Sequence, residues 1–148
     1  FWDWDIPSGR VDYSPRWAAM LGYDHGELAA DLSTWERLTH VDDMPAAKAA
    51  LQAHFAGDTP FYECEFRMRH KRGDWVWILD RGKVVVRDAD GRPLRATGTH
   101  TDITARRATE ERMRVVAQAN EKLVDELRAA LDRVKTLSGL LPVCAWCK

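Results

Sequence analysis

The sequence predicts an α+β fold: a five-stranded antiparallel sheet with short helices on one face, followed by a long C-terminal helix. Three observations predict it. Apolar and polar residues alternate with the period of a strand at the start of the chain and again in its second half. Helix-start signals lie between these two regions. After residue 104 the apolar period becomes that of a long helix.

The first residues are predicted to form two strands. In FWDWDI, Trp2, Trp4 and Ile6 share one face, because side chains alternate along a strand. The next three residues, PSG, have turn composition, and RVDYS continues as a second strand. We expect both strands to join the same sheet as the later ones.

The segment that follows, up to residue 57, carries four helix-start signals. Each start has a side-chain acceptor, with either a proline in the first turn or an acid three residues on. The four signals are Ser14 with Pro15, Asp24 with Glu27, Ser33 with Glu36, and Asp42 or Asp43 with Pro45. Gly22 and Gly57 mark the ends of the first and the last of these helices.

Three long strands are predicted in the second half. FYECEFRMR has the clearest alternation in the chain, with Tyr62, Cys64, Phe66 and Met68 on one face. A turn at residues 73–74 leads into WVWILDRGKVVV, which is apolar on both faces and therefore expected inside the sheet. RDADGRP is a second turn, and LRATGTHTDIT is the last strand.

Residues 105–137 are predicted to form one helix with a heptad seam. Apolar residues and one asparagine recur at spacings of three and four, the pattern of a coiled coil. The seam is Met113, Val116, Asn120, Leu123, Leu127, Ala130, Val134 and Leu137. Asn120 at a buried position favours two parallel helices in register. Apolar residues at neighbouring positions widen the stripe, so a four-helix arrangement stays open, as does a helix folded back on its own domain.

Composition limits the class of protein. Net charge is −1 over 148 residues, so no overall field favours nucleic acid or an anionic membrane surface. No apolar run approaches the roughly 20 residues that span a bilayer. Three cysteines, an odd number, indicate a reducing compartment, and we expect a cytoplasmic location. We expect the chain to be an excised piece of a longer protein, with residues 138–148 the truncated start of a following segment.

Enzymatic chemistry and metal binding are not expected. His40, Asp42 and Asp43 could form a metal triad, but they lie where a helix needs capping. Cys144 and Cys147 form a CxxC pair without a second pair, a weak signal for zinc or redox chemistry. We therefore assign no catalytic residue and no metal site.

Five segments in this order resemble the PAS domain in its bacterial form with a C-terminal PAC motif. They are WDWD, SPRWAAMLGYDHGEL, HVDD, YECEFRMRHKRGDWVWILDRGKVV and DADGRPLRATGTHTDIT. The resemblance implies a PAS/PAC sensor domain over residues 1–104 and a signalling helix over 105–137. The chain departs from the family in starting without the amphipathic helix that often covers the outer sheet face and joins a dimer interface. LSGLLPVCAWCK resembles the start of a segment that follows such helices in bacterial histidine kinases.

The resemblance assigns a role to the end of the last strand. In PAS proteins an Asp-Ile-Thr element ends this strand and the output helix leaves from it; here these are Asp102, Ile103 and Thr104. Asp102 is expected to accept N–H groups of the first helical turn, with Thr104 as a second cap. Ile103 is expected to anchor the junction. Capping alone is the simpler alternative.

The resemblance also implies a site between the sheet and the short helices, where PAS domains often bind small molecules. The candidate lining is Trp17, Leu51, Phe55, Cys64, Phe66 and Trp77. The alternative is that these side chains fill the core completely. No cofactor is expected: His54 is the candidate axial ligand for haem, but a lone helical histidine is more often structural. DLSTWERLTH lacks the reactive cysteine of flavin-binding PAS domains.

The expected function is that of a non-catalytic sensory and dimerisation module of a bacterial signalling protein, with a histidine kinase as the first expectation for the parent protein and a diguanylate cyclase as the second. A ligand or partner domain would change the sheet, and the junction would pass that change to the helix. The expected partners are a second copy, through the C-terminal helix, and the output domain of the parent protein. The alternatives are a structural spacer with a filled core and a receptor with a defined pocket.

Overall fold

A computed structural model describes residues 1–139, with side chains described through residue 135. The elements are β1 (Trp2–Asp5), β2 (Arg10–Tyr13), α1 (Pro15–Met20), α2 (Leu32–Leu38), α3 (Met44–Ala56), β3 (Tyr62–Arg69), β4 (Trp75–Arg87), β5 (Pro93–Asp102) and α4 (Thr104–Gly139). The chain divides into two compact units, residues 1–107 and the residues from 108 onward. The predicted α+β fold, with its five-stranded antiparallel sheet, is confirmed.

The strands pair in the order β2-β1-β5-β4-β3, and every pairing is antiparallel. The last strand therefore lies in the middle of the sheet, between the first strand and β4. Strand β4 is also internal, as its apolar composition predicts. Helix α4 continues from the end of β5. That end pairs with β4, which is itself paired with β3 on its other side.

The core lies on one face of this sheet, beneath α1, α2 and α3. Inward residues of β3 and β4, such as Phe66 and Ile78, are fully buried against Leu21 of the α1 end and Ala47 of α3. A second cluster is centred on Trp2, Trp4, Val11, Tyr62 and Ala96. Alternation along each strand places these residues on a single face, because neighbouring side chains in a strand point to opposite sides.

Two glycines make room for one tryptophan in this core. Gly82 and Gly98 are opposite each other in β4 and β5, and Gly98 is also opposite Trp2 in β1. A Cβ atom at Gly98 would lie 2.4 Å from Cζ2 of the Trp2 indole, and one at Gly82 would lie 2.5 Å from the same atom. Glycine is needed here for close approach of the ring to the sheet.

Two of the predicted helix starts are wrong. Residues 21–31 form turns and no helix, and Gly26 has a φ of 93° that interrupts any helix from Asp24. The Glu27 carboxylate still accepts the Asp24 N–H, at 2.8 Å, so half of the predicted capping box forms without its helix.

Helix α2 is capped by Asp31, two residues before the predicted Ser33. The Asp31 carboxylate accepts the Thr34 N–H at 3.0 Å, and Ser33 donates its hydroxyl to the same carboxylate. An isolated bridge between Asp31 and Arg10 of β2 holds this residue extended, the backbone conformation that an N-cap requires.

Candidate functional site

The junction between β5 and α4 has no linker. Asp102 is the last residue of β5, and its carboxylate accepts the N–H of Thr104, the first residue of α4, at 2.8 Å. Ile103, between them, is 5% exposed and therefore anchored in the protein. The negative charge of Asp102 lies at the positive end of the helix dipole, which favours starting the helix here.

Backbone atoms of a neighbouring strand hold the junction in place. Ile103 donates its N–H to the carbonyl of Trp77 in β4 at 2.8 Å. Trp77 donates its own N–H to the hydroxyl oxygen of Thr104 at 2.9 Å. Thr104, considered from the sequence as a second cap, thus directs its side chain to the sheet. The backbone of Trp77 in β4 therefore binds both Ile103, which precedes α4, and Thr104, the first residue of α4.

The start of α3 is tied to the same part of the sheet. Asp43 accepts the backbone N–H of Arg67 in β3 at 2.9 Å, and its two oxygens accept Nε and Nη2 of the Arg67 guanidinium at 2.8 and 2.7 Å. The Asp43 carboxylate therefore binds β3 and does not cap α3. His40 accepts the Asp42 N–H through Nδ1. Of the three side chains of the candidate metal triad, that of Asp43 therefore binds Arg67, whereas those of His40 and Asp42 lie 3.7 Å apart.

The Asp43–Arg67 pair predicts a dependence of stability on acid. Hydrogen bonds from Arg67 hold the pKa of the Asp43 carboxyl below its usual range, with burial opposing them. A lowered pKa in the folded state stabilises the protein above the unfolded pKa of about 4, and this stabilisation is lost as pH falls through the folded pKa. We expect Asp43→Asn to lower the free energy of unfolding at pH 7, and to do so much less at pH 2.5. Urea unfolding at the two pH values measures this; an equal difference at both would contradict it.

A small cavity of about 40 Å³ lies between the sheet and the helices. Half of the ten lining residues are Trp or Tyr, and Asp80 and His100 contribute polar atoms. The lining residues are Trp2, Trp4, Val11, Tyr13, Leu32, Trp35, Leu51, Tyr62, Asp80 and His100. Such a volume accommodates a few water molecules, far below the roughly 300–1,000 Å³ of pockets for drug-sized ligands.

Asp80 is the centre of the polar contacts at this cavity. Its Oδ1 accepts the indole N–H of Trp2 at 2.7 Å. His100 lies directly opposite Asp80 in β5. Its Nε2 is 3.0 Å from Oδ2 of Asp80, but the two atoms do not have the geometry of a hydrogen bond. The Asp80 residue is 4% exposed and the His100 side chain 3%. Burial, and secondarily the Asp80 charge, raise the pKa of the Tyr62 hydroxyl, which stays neutral.

The six side chains expected to line a pocket do not form one group. Leu51 lines the cavity. Trp17 and Phe66 are buried in the core cluster beneath α1 and α2. Phe55 packs against Trp4, with ring centroids 5.7 Å apart, and Cys64 is half-buried between the two clusters.

Trp77, the sixth, lies on the outer face of the sheet. Its cross-strand partner is Arg67, whereas the inward positions of β4 are those of Val76 and Ile78. The guanidinium groups of Arg67 and Arg107 lie 5.4 and 4.5 Å from the centroid of the Trp77 ring. Both faces of β4 are apolar in the sequence, so alternation alone could not assign this side chain.

Both ring nitrogens of His54 have protein partners. Nε2 accepts the N–H of Val84 in β4 at 3.0 Å, and Nδ1 lies 2.9 Å from the carbonyl of Thr59. Because Nε2 accepts, Nδ1 carries the proton and donates. His54 therefore joins α3 to the sheet, and ligating a metal would require breaking one of these bonds.

Comparison with known proteins agrees with this architecture. A family model for the PAS fold matches residues 10–100. The chain belongs to the PAS family. A sensory box histidine kinase/response regulator from Burkholderia thailandensis, known from a crystal structure, has 31% sequence identity to this PAS domain. The two structures superpose with a TM-score of 0.72, and the match covers 82% of this chain and 88% of that chain.

Two further proteins place this PAS domain among signalling proteins. The N-terminal domain of a diguanylate cyclase with a PAS/PAC sensor from Marinobacter aquaeolei is 25% identical, with a TM-score of 0.61, over 72% of this chain and 95% of that one. A hybrid signal transduction histidine kinase from Dictyostelium discoideum is 30% identical over 70% of this chain. The chain spans 5% of the length of that relative.

The helix that leaves the PAS domain exposes an apolar seam. Leu123 is 63% exposed, and Met113, Val116, Leu127 and Val134 are similarly open in the single chain. Asn120 is exposed and Ala130 half-buried. The side chain of Leu137 and both Cys144 and Cys147 lie outside the described residues.

Among the helices that the structure describes, none combines the length and the apolar composition that crossing a bilayer requires.

Proposed function

We propose that this PAS domain is a non-catalytic sensory and dimerisation module of a larger cytoplasmic signalling protein, a histidine kinase or a diguanylate cyclase. The observation that carries the proposal is the pair of backbone hydrogen bonds at Trp77, which accepts the Ile103 N–H and donates its own N–H to the Thr104 hydroxyl. They attach the first residue of α4 directly to β4. Similarity to the sensor domains of a kinase and of a cyclase supports the choice of parent protein.

The proposed mechanism is a population shift between two arrangements of the sheet and the helix. A stimulus that binds one arrangement better raises its population. A displacement of β4 against β5 would move Trp77, and with it the start of α4, because no flexible segment lies between them. The motion would then reach the output domain through the helix.

The proposed occupant of the α4 seam is a second copy of this helix. Exposed apolar residues at heptad spacing are typical of a helix that forms a coiled coil. A second copy of the same helix has the same spacing over its full length, so its apolar residues can pack against the seam. Asn120 would pair with its counterpart and set a parallel register. A parallel pair also places two output domains side by side.

The stimulus is constrained by the cavity. A volume of about 40 Å³ fits a ligand of only a few atoms, or waters, unless the helices move. This small volume favours a second candidate function, a structural dimerisation and spacer module with a filled core. In that case the domain would dimerise and hold the spacing of its neighbours, and no small molecule would bind.

Native mass spectrometry of the chain tests these proposals together. We expect twice the monomer mass of 16.9 kDa at micromolar concentration. A dimer without added mass would support partner-driven signalling or a spacer, and added mass lost on denaturation would reveal a ligand. A monomer at every accessible concentration would contradict dimerisation through α4.

A further inference from the structure

We propose that Glu65 is a positioning residue that holds the first turn of α4 on the sheet, by binding Arg106 and Arg107. The inference rests on the proposed function, since it concerns how the sheet controls the helix. The bonds at Ile103 and Thr104 fix the point where α4 leaves the sheet. A second attachment, later in the same turn, is needed to keep that turn from rotating about this point.

The Glu65 carboxylate supplies that second attachment. Its Oε1 lies 2.5 Å from Nη2 of Arg106, and its Oε2 binds Nη2 of Arg107. Glu65 lies on the outer face of β3, and its side chain is 27% exposed, so the pairs are partly shielded from solvent. One carboxylate thus holds consecutive residues of the helix, which restricts rotation of the first turn as well as its separation from the sheet.

The Trp77 ring provides a platform for the same turn. The Arg107 guanidinium lies 4.5 Å from its centroid, within the range of a cation–π contact. The Arg67 guanidinium lies 5.4 Å from this ring and is held by Asp43 at the start of α3. Contacts on the outer face therefore connect α3, β3, β4 and the first turn of α4. Trp77 contributes its backbone to the junction and its ring to this platform.

Arg106 and Arg107 lie at the end of α4 that is unfavourable for positive charge. Arginines in the first turn of a helix oppose the helix dipole, which is positive at that end. Arg106 and Arg107 occupy that turn, so an opposing charge outside the helix is needed to make their position favourable. Burial raises the pKa of the Glu65 carboxyl, but hydrogen bonds from the two arginines outweigh it, and the pKa is lowered overall. Glu65 is therefore ionised at neutral pH.

Hydrogen exchange of Glu65→Gln in the full chain tests this role. We expect the amides of residues 107–111 to exchange about tenfold faster, from loss of two partly shielded ion pairs and a weakened cation–π contact. Glu63→Gln is the matched control: Glu63 is on the same face of β3, but it pairs with Arg81 of β4. We expect less than a twofold change there. Arg107→Gln should reduce the effect of Glu65→Gln, as coupled residues do.

Three results would overturn the proposal: equal effects of the Glu65 and Glu63 substitutions, additive effects of Glu65→Gln and Arg107→Gln, or faster exchange confined to β3. Native mass spectrometry of the same samples separates this outcome from failure of the proposed function. A wild-type dimer whose first turn is insensitive to Glu65→Gln would contradict the positioning role alone, whereas a wild-type monomer would contradict dimerisation.

Discussion

Replacing Asp80 by alanine is expected to lower the free energy of unfolding by about 1–3 kcal/mol, the cost of leaving a buried hydrogen-bond donor without its partner. The substitution leaves the Trp2 indole N–H and the His100 ring without their shared partner in a region closed to solvent. It also removes one of the causes that raise the pKa of the Tyr62 hydroxyl, the Asp80 charge. Urea unfolding at pH 7, followed by tryptophan fluorescence, measures the change.

Two further substitutions show whether the loss comes from these contacts. Asp80→Asn keeps an oxygen acceptor for Trp2 and is expected to cost less than Asp80→Ala. Glu63→Gln removes an exposed carboxylate from the same sheet and should change stability by about 1 kcal/mol or less. If Asp80→Ala cost no more than Glu63→Gln, the polar group at the cavity would not organise this core.

Replacing Leu123 and Leu127 together by aspartate is expected to raise the dimer dissociation constant by at least about 1,000-fold. In the proposed dimer each copy would lose two leucines that pairing buries, and burial of each stabilises the dimer by roughly 1.5–3 kcal/mol. About 1.4 kcal/mol corresponds to a tenfold change in the dissociation constant. The aspartates also place like charges across the seam. Sedimentation equilibrium over a range of concentrations measures the constant.

Val115→Asp is the control for the seam. Val115 is exposed on the same helix, at a position outside the heptad seam, and the substitution introduces the same charge. We expect its dissociation constant to stay within about threefold of the wild-type value, since surface substitutions are usually small in effect. Equal weakening by both variants would show that helix stability, and not the seam, controls dimer formation.

The regular elements could be predicted because their signals are local. Alternation in β3 and the spacing of three and four in α4 each arise within one segment, whatever the rest of the chain does. The failed helix at Asp24 shows the limit of such signals. Its capping box is present, but Gly26 adopts a left-handed φ and the chain turns. For Ser33, a bridge from Asp31 to β2 moved the cap by two residues, and no local pattern reports that bridge.

The polar centre at the cavity depends on pairing between distant strands. His100 faces Asp80 only because β5 pairs with β4 in that register, and Trp2 reaches the carboxylate because β1 inserts beside β5. Strand spacing places Asp80 on one face with Val76 and Ile78, but both faces of β4 are apolar in the sequence, so spacing does not identify the buried one. The attachment of Asp43 to Arg67, across 24 residues, had no local signal either.

In the proposed function, the sheet and the paired helices are coupled through the junction between β5 and α4. Coupling is reciprocal, so dimer formation through α4 must alter the stability of the bonds at Trp77 and Ile103. The direct measurement is hydrogen exchange of these two amides in the wild-type dimer and in the monomeric variant with aspartate at Leu123 and Leu127. We predict slower exchange of both amides in the dimer, with no change at Val11, whose N–H binds Ala30 away from the junction. Identical exchange of the Trp77 and Ile103 amides in dimer and monomer would contradict the claim.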